Sequence, residues 1–195
     1  PQFASYISMA LTPMVLTGRM IKKDNPDAKV VFIGPCAAKK LEASRKSIRS
    51  DIDFVLTFEE VMGMFEAKGI DLSAVEGGEP LEEGTNSGRG FAVSGGVAKA
   101  VKDLINKKHP EVDVKIQNAE GLKNCRTMLM MAKAGRLDGY LLEGMACPGG
   151  CVAGAGTLQP ITKSSVLVKK YANENEKQTS DESAYSDRLH ELSNS

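Results

Sequence analysis

The sequence is short of several things, and each shortage closes off a class of function. Neither sign of charge is in excess, with 25 basic and 25 acidic residues. A basic face for nucleic acid or an anionic membrane surface is therefore not expected. Hydrophobic residues make up 42%, yet no apolar run approaches the ~20 residues that a membrane-spanning helix needs. Only two histidines occur, His109 beside a helix end and His190 near the carboxyl terminus. Structural zinc wants four ligands in two close pairs, and only one close cysteine pair is present. No secretory signal pattern opens the chain, so the four cysteines read as reduced thiols or metal ligands in a cytoplasmic protein. Pro1 stands where an initiator methionine would be, so a piece of a longer protein is expected.

What is there begins with length. At 195 residues the chain can bury one substantial core. Phe3, Ile7, Ala10, Met14, Gly18 and Ile21 recur at helical steps, and Thr12-Pro13 suits an N-cap followed by the first helical position. Residues 29–33 form a short β-rich run, read as a strand buried on both faces, and residues 53–56 form another. Thr57 with Glu60 predicts a capping box opening a helix to about Lys68. Residues 69–90 read as a long surface loop. Ser94-Gly95-Gly96 leads into a stripe of Val97, Val101, Leu104 and Ile105 that ends at His109-Pro110. Val112, Val114 and Ile116 alternate as a strand. Leu122, Cys125, Leu129 and Ala132 form a helical stripe, and residues 137–142 a further strand. A helix is expected near 164–173. The alternation predicts an α/β fold, a mostly parallel sheet flanked by helices. One unit is expected over residues 1–173, followed by a polar tail over 174–195 that is mobile or docked only lightly.

The chemistry gathers where strands end. Cys36 lies in the loop Gly34-Pro35-Cys36-Ala37-Ala38-Lys39-Lys40-Leu41-Glu42. Cys147 and Cys151 lie in Glu143-Gly144-Met145-Ala146-Cys147-Pro148-Gly149-Gly150-Cys151-Val152-Ala153-Gly154-Ala155-Gly156. Both loops leave the carboxyl end of a strand, where open α/β sheets place their ligands. Glycines there let the backbone take positive φ and approach a bulky ligand closely. Three residues separate Cys147 from Cys151, one too many for a thioredoxin-type redox pair. An iron–sulfur centre fits better, since its thiolate ligands can be far apart in sequence and lie among amides that bond to sulfur. The plainer reading, cysteines incidental to turns, is weakened by having two such loops. Cys125 lies on an apolar stripe and reads as a small core residue. Lys39 and Glu42 are either ordinary charges at a loop–helix junction or a cation and a proton carrier flanking a metal site.

The first of these loops resembles the second signature of iron-only (FeFe) hydrogenases, Pro-Cys-x-x-Lys-x-x-Glu. The second is similar to their third signature, Glu-x-Met-x-Cys-x-x-Gly-Cys-x-x-Gly-Gly-Gly, and Asp51 to Thr57 and Ser94 to Val97 also resemble family sequence. The resemblance implies the carboxyl-terminal part of a hydrogenase catalytic domain, with a fold like one lobe of that domain. Its parent would interconvert dihydrogen with protons and electrons. The implied cofactor is a 4Fe-4S cubane joined through one cysteine sulfur to a two-iron unit carrying CO and cyanide, the H-cluster. By position, Cys36 and Cys147 would bind the cubane and Cys151 would bridge the two parts. Lys39 would meet a cyanide ligand, Glu42 would stand on the proton path, and Met145 would pack against the two-iron unit.

Departures are equally visible. The family's first signature, which supplies the fourth cubane cysteine, has no counterpart here. Gly34 stands where many relatives have methionine, and Ala155 replaces the middle glycine of the closing run. No ferredoxin-like cysteine set is present, so the amino-terminal part of the domain and a ferredoxin-like electron donor or acceptor are expected partners. The isolated piece is expected to be inactive, with loose cysteine loops when metal-free. Two other functions stay open: a regulatory domain that senses hydrogen or redox state through a related cluster, and an iron–sulfur assembly protein.

Overall fold

The computed structural model describes residues 3–78 and 83–188. Its elements alternate in the expected α/β sense. Helix α1 spans Pro13–Asp24, strand β1 Val31–Gly34, helix α2 Ala38–Ala43 and strand β2 Phe54–Thr57. Helix α3 spans Phe58–Ala67, α4 Asn86–Arg89, α5 Gly96–Lys108, strand β3 Lys115–Glu120 and helix α6 Leu122–Lys133. Strand β4, Tyr140–Met145, and helix α7, Ile161–Asn173, complete the set. No described helix is long and apolar enough to cross a membrane.

All strand pairing is parallel, but it forms two separate two-stranded sheets rather than one. In the first, Val31 faces Phe54 and Gly34 faces Thr57. In the second, Lys115 faces Tyr140 and Glu120 faces Met145. The alternation expected at Val112 to Ile116 ends where β3 begins, and the pairing runs on to Glu120 because its partner β4 extends to Met145.

The apolar core of the first pair contains Met14, Val15, Val30, Ile52 and Val55, with Phe32, Ala43 and Ile48 packed against it. One face of β1 is thus buried on α1. The expectation of burial on both faces does not hold, since Val31 and Ile33 are 45% and 50% exposed, and Phe54 opposite is 61% exposed.

Periodicity located the helices better than their faces. In α5 the buried residues are Ala98 and Ala100, and Val101 is exposed. In α6 the buried residue is Met128, while Leu122 is 74% exposed. Small residues let a helix approach its neighbour closely: Ala98, next to the expected stripe, is buried, and so is Gly18, which lies on it. Gly18 leaves room for only 2.6 Å between an added Cβ and Ile52 Cδ1.

Two caps were anticipated. The Thr57–Glu60 capping box is complete in both directions. Thr12 does occupy the N-cap of α1 with Pro13 behind it, but its hydroxyl caps nothing. The long 69–90 segment contains α4 near its end, and residues 79–82 lie outside the described residues.

Residues 174–188 of the polar tail make polar contacts with the rest of the chain. Lys177 O and Gln178 O accept from the amides of Asn86 and Ser87, at 2.8 and 3.0 Å. Asn175 Nδ2 donates to Gly84 O at 2.7 Å, and Lys107 pairs with Asp181 and Glu182 at 3.2 and 2.6 Å. Polar side chains and backbone groups make these contacts. His190 lies outside the described residues.

Candidate metal-cluster site

Each cysteine loop begins where a parallel strand ends. Cys36 follows Gly34 and Pro35 at the end of β1, and its carbonyl accepts from the Lys39 amide at 3.3 Å as α2 starts. Cys147 and Cys151 follow Met145 at the end of β4. The Gly150 amide donates to Cys147 O at 3.0 Å and the Gly154 amide to Cys151 O at 2.9 Å, so both cysteines lie in tight turns.

The two loops meet although they leave different sheets. The Gly156 amide donates to Pro35 O at 2.9 Å. A Cβ on Gly154 would stand 2.3 Å from that same oxygen, far inside contact distance. On the next residue but one, Gly156 O accepts from the Glu59 amide at 3.3 Å. Residue 36 is therefore joined through backbone to the loop that carries 147 and 151, more than a hundred positions later.

The other side of the Cys147–Cys151 loop rests on α5 and β3. Ser94 donates its amide to Gly149 O at 3.1 Å. Gly150 has φ +89°, and a Cβ there would lie 2.5 Å from Ser94 N, so glycine is required on two counts. Glu120 Oε2 accepts from the Gly149 amide at 2.8 Å. Glu143, 8% exposed, accepts from the Gly95 amide at 2.7 Å and the Ala98 amide at 2.6 Å. Its carboxylate thus satisfies orphan donors at the start of α5, a place that favours negative charge.

The electrostatics of the three thiols are linked. Burial pushes the Cys151 thiol up from its ordinary value, the charge of Cys36 pushes it further, Lys39 pulls it back, and Cys147 and Glu143 add to the rise. Cys36, Cys147, Cys151 and Lys39 therefore share one electrostatic neighbourhood. Three ionised thiolates there would repel one another, and a bound cationic body would relieve that repulsion. Among the described residues no three Cys, His, Asp or Glu side chains are grouped closely enough for a single metal ion.

Lys39 is not a free cation. Its ammonium donates to Glu42 Oε2 at 2.5 Å, and Thr12 Oγ1 donates to Glu42 Oε1 at 2.5 Å. Net, the Glu42 carboxyl lies below its ordinary value: burial raises it, but hydrogen bonds from Lys39 and Thr12 and the charges of Lys39 and Arg45 outweigh that. Met145 is half-buried at the end of β4, its carbonyl accepting from the Gly121 amide at 2.8 Å. Cys125 Sγ lies 3.5 Å from Ala119 O and 3.5 Å from Met145 O, against the ends of β3 and β4. His109 is exposed beside Glu111.

Sequence reading missed three side chains. Thr12 was taken for a helix cap, Glu120 passed unnoticed, and Glu143 was only part of a motif. Each acts on a group distant in sequence, so no local spacing could reveal the partner.

The family described as the iron only hydrogenase large subunit, C-terminal domain, matches residues 1–155. The chain belongs to that family. The matched residues include the Cys36 loop and the Cys147–Cys151 loop. Among relatives of the hydrogenase domain, the periplasmic [Fe] hydrogenase large subunit of Nitratidesulfovibrio vulgaris is 30% identical over 202 residues, covering 83% of this chain and 48% of its own length. The cytosolic iron-sulfur assembly component 3 of Mus musculus is also 30% identical, over 214 residues, covering 85% of this chain and 44% of its own. The chain thus spans about half the length of these curated relatives. A variant of [FeFe]-hydrogenase HydA1 from Chlamydomonas reinhardtii superposes with a TM-score of 0.71 at 19% identity, covering 98% of this chain and 67% of that one. That likeness establishes the hydrogenase fold.

Proposed function

We propose that this chain is the carboxyl-terminal part of an FeFe-hydrogenase catalytic domain, contributing three thiolates and a lysine to an iron–sulfur active site. The observation that carries the reading is the backbone bond from Gly156 to Pro35, which joins the loop of Cys36 and Lys39 to the loop of Cys147 and Cys151. The donor chemistry suits iron, because soft thiolates set among glycine-rich backbone are what such clusters take. Cys36 and Cys147 would hold a 4Fe-4S cubane and Cys151 would join it to a two-iron unit. When bound, that cluster would provide the iron at which dihydrogen is formed or split, giving two electrons in the one direction and taking up two in the other. This chain's residues do the rest. Lys39 offers an ammonium to an anionic ligand, and Met145 sits at the strand end beside the cysteine loop. Glu42 belongs to the site as the partner of Lys39.

The fourth cubane cysteine and the electron path to a ferredoxin-like partner belong to other parts of the parent. A cytoplasmic location accords with the assembly relatives' names, whereas the hydrogenase relative is named periplasmic. The isolated chain should not turn over dihydrogen.

The test is expression of the full-length parent with cluster maturation, followed by a hydrogen-uptake assay with Cys151→Ala alongside. Loss of uptake in the variant is expected, and unchanged uptake would end the proposal. A second reading, iron–sulfur assembly, draws on the assembly relatives at equal identity. Infrared bands of bound CO and cyanide in the matured parent separate the two, since a plain cubane has neither ligand. A parent that carries those bands but turns over very slowly would point to hydrogen sensing.

A further inference from the structure

A threonine at an N-cap ordinarily turns its oxygen to an amide of the first helical turn. Thr12 does not, and its hydroxyl is directed instead to a carboxylate thirty positions away. That carboxylate, on Glu42, has both oxygens engaged, one by Thr12 and the other by the Lys39 ammonium. The Lys39 and Glu42 side chains are only 22% and 18% exposed. Helix α2, which carries both, is six residues long and could not by itself hold a four-carbon lysine stem in one rotamer. Contact with the N-terminus of α1 supplies the missing fixed point.

We propose that Glu42 and Thr12 are positioning residues for Lys39, holding its ammonium toward the Cys151 side of the pocket, and that Glu42 does not relay protons. The proposal rests on the reading of this pocket as a cluster site. A proton relay must pass readily between its two protonation states at working pH. A carboxylate gripped on both oxygens by a cation and a hydroxyl is instead fixed as an anion, in keeping with the lowered value of its carboxyl. Lysine is a compact point charge on a flexible stem, so an anionic ligand gains from it only if something else aims it.

The test uses Glu42→Gln, Thr12→Val and Thr12→Ser in the matured full-length parent, read by infrared spectroscopy and hydrogen uptake. Glu42→Gln and Thr12→Val should shift the cyanide bands, with uptake falling in step, and Thr12→Ser should restore both to wild type. A Glu42→Gln variant with unshifted bands but abolished uptake would overturn the proposal in favour of a relay. So would a Thr12→Val variant identical to wild type by both measures. If the wild-type parent shows no CO or cyanide bands, the cluster reading has failed, and the positioning claim is decided on the full-length parent by nitrogen-15 NMR. There the Lys39 ammonium resonance should be observable in wild type and Thr12→Ser, and lost in Glu42→Gln and Thr12→Val. Its persistence in Thr12→Val, with the fold verified by amide dispersion, overturns the claim.

Discussion

The two cysteine loops are built in different ways. The Cys147–Cys151 loop is held by backbone: amides and carbonyls of Ser94, Gly121 and Pro35 meet its own, and the carboxylates of Glu120 and Glu143 accept from amides on and beside it. The Cys36 loop shares the Gly156–Pro35 backbone bond and is otherwise held by charged side chains. Lys39, Glu42 and Thr12 form one chain of contacts, Lys40 reaches Glu60 and Val55 O, and Lys22 and Lys29 reach Asp53 beneath. Backbone and glycine fix a position and admit no substitute, whereas side-chain ion pairs set a charge and can be retuned. The first loop is therefore a backbone frame, and the second a charged edge whose ion pairs can be retuned.

The sharpest way to break that contrast is to enter the frame. A Gly154→Val substitution would put a Cβ 2.3 Å from Pro35 O. The obstacle is backbone, so neither side can give without moving a loop. The expected loss is about 3 kcal/mol, which in a chain of this size lowers the melting temperature by roughly 10 °C. A thermal melt that matches wild type would mean the two loops are not in contact. Next in size is Glu143→Ala. It leaves the Gly95 and Ala98 amides without their acceptor in a buried place, at a cost of about 2 kcal/mol. Denaturant titration measures it, and an effect below about 0.5 kcal/mol would show that water replaces the carboxylate easily.

How much of this was legible in the sequence follows the same division. The cysteine loops, the Thr57 capping box and the helix start at Pro13 were all visible, because each is a short-range pattern whose partners lie within a few residues. Glu143's grip on α5 was not, since its partners are amides more than forty positions away. Nor was the splitting of the strands into two pairs: sequence alternation tells that strands are parallel, but their neighbours are chosen by packing. Thr12 shows the limit most clearly. It does stand at the N-cap, but its hydroxyl donates to Glu42, a partner thirty positions away that no local spacing announces.

Acid separates the two constructions by chemistry. The Asp53 carboxyl is lowered from 3.8 to about 2 by the Lys22 hydrogen bond and the Val30 amide. Glu60 is lowered from 4.5 to about 2 by the Thr57 amide and Lys40. A carboxyl whose folded value is depressed contributes stability that is complete above its unfolded value and is lost as pH falls toward the folded one. Both groups brace the β1–β2 side, so that side should weaken as pH drops from about 5 to about 2. Amide hydrogen exchange reports it residue by residue, with Val55 expected to lose protection before Leu142. Asp53→Asn should remove part of the pH dependence. Simultaneous loss at both residues would mean that the two pairs unfold as one unit and that the contrast has no energetic meaning.

The smallest effect concerns the residue that departs most plainly from the third signature. Ala155 is exposed, and among the described residues no non-glycine has positive φ, so nothing at that position calls for glycine. Its neighbours differ: an added Cβ would stand 2.3 Å from Pro35 O at Gly154 and 2.3 Å from Thr57 Cβ at Gly156. The frame thus needs small residues at alternate positions, where the chain faces Pro35 and Thr57, and not at the one between. Ala155→Gly should cost about 0.5 kcal/mol or less, through the added freedom of the unfolded chain alone. It should also leave the reaction of Cys147 and Cys151 with a thiol reagent unchanged. A larger loss, or a change in thiol reactivity, would mean that residue 155 takes part in shaping the loop. The backbone frame would then extend through the whole run rather than through its two facing glycines.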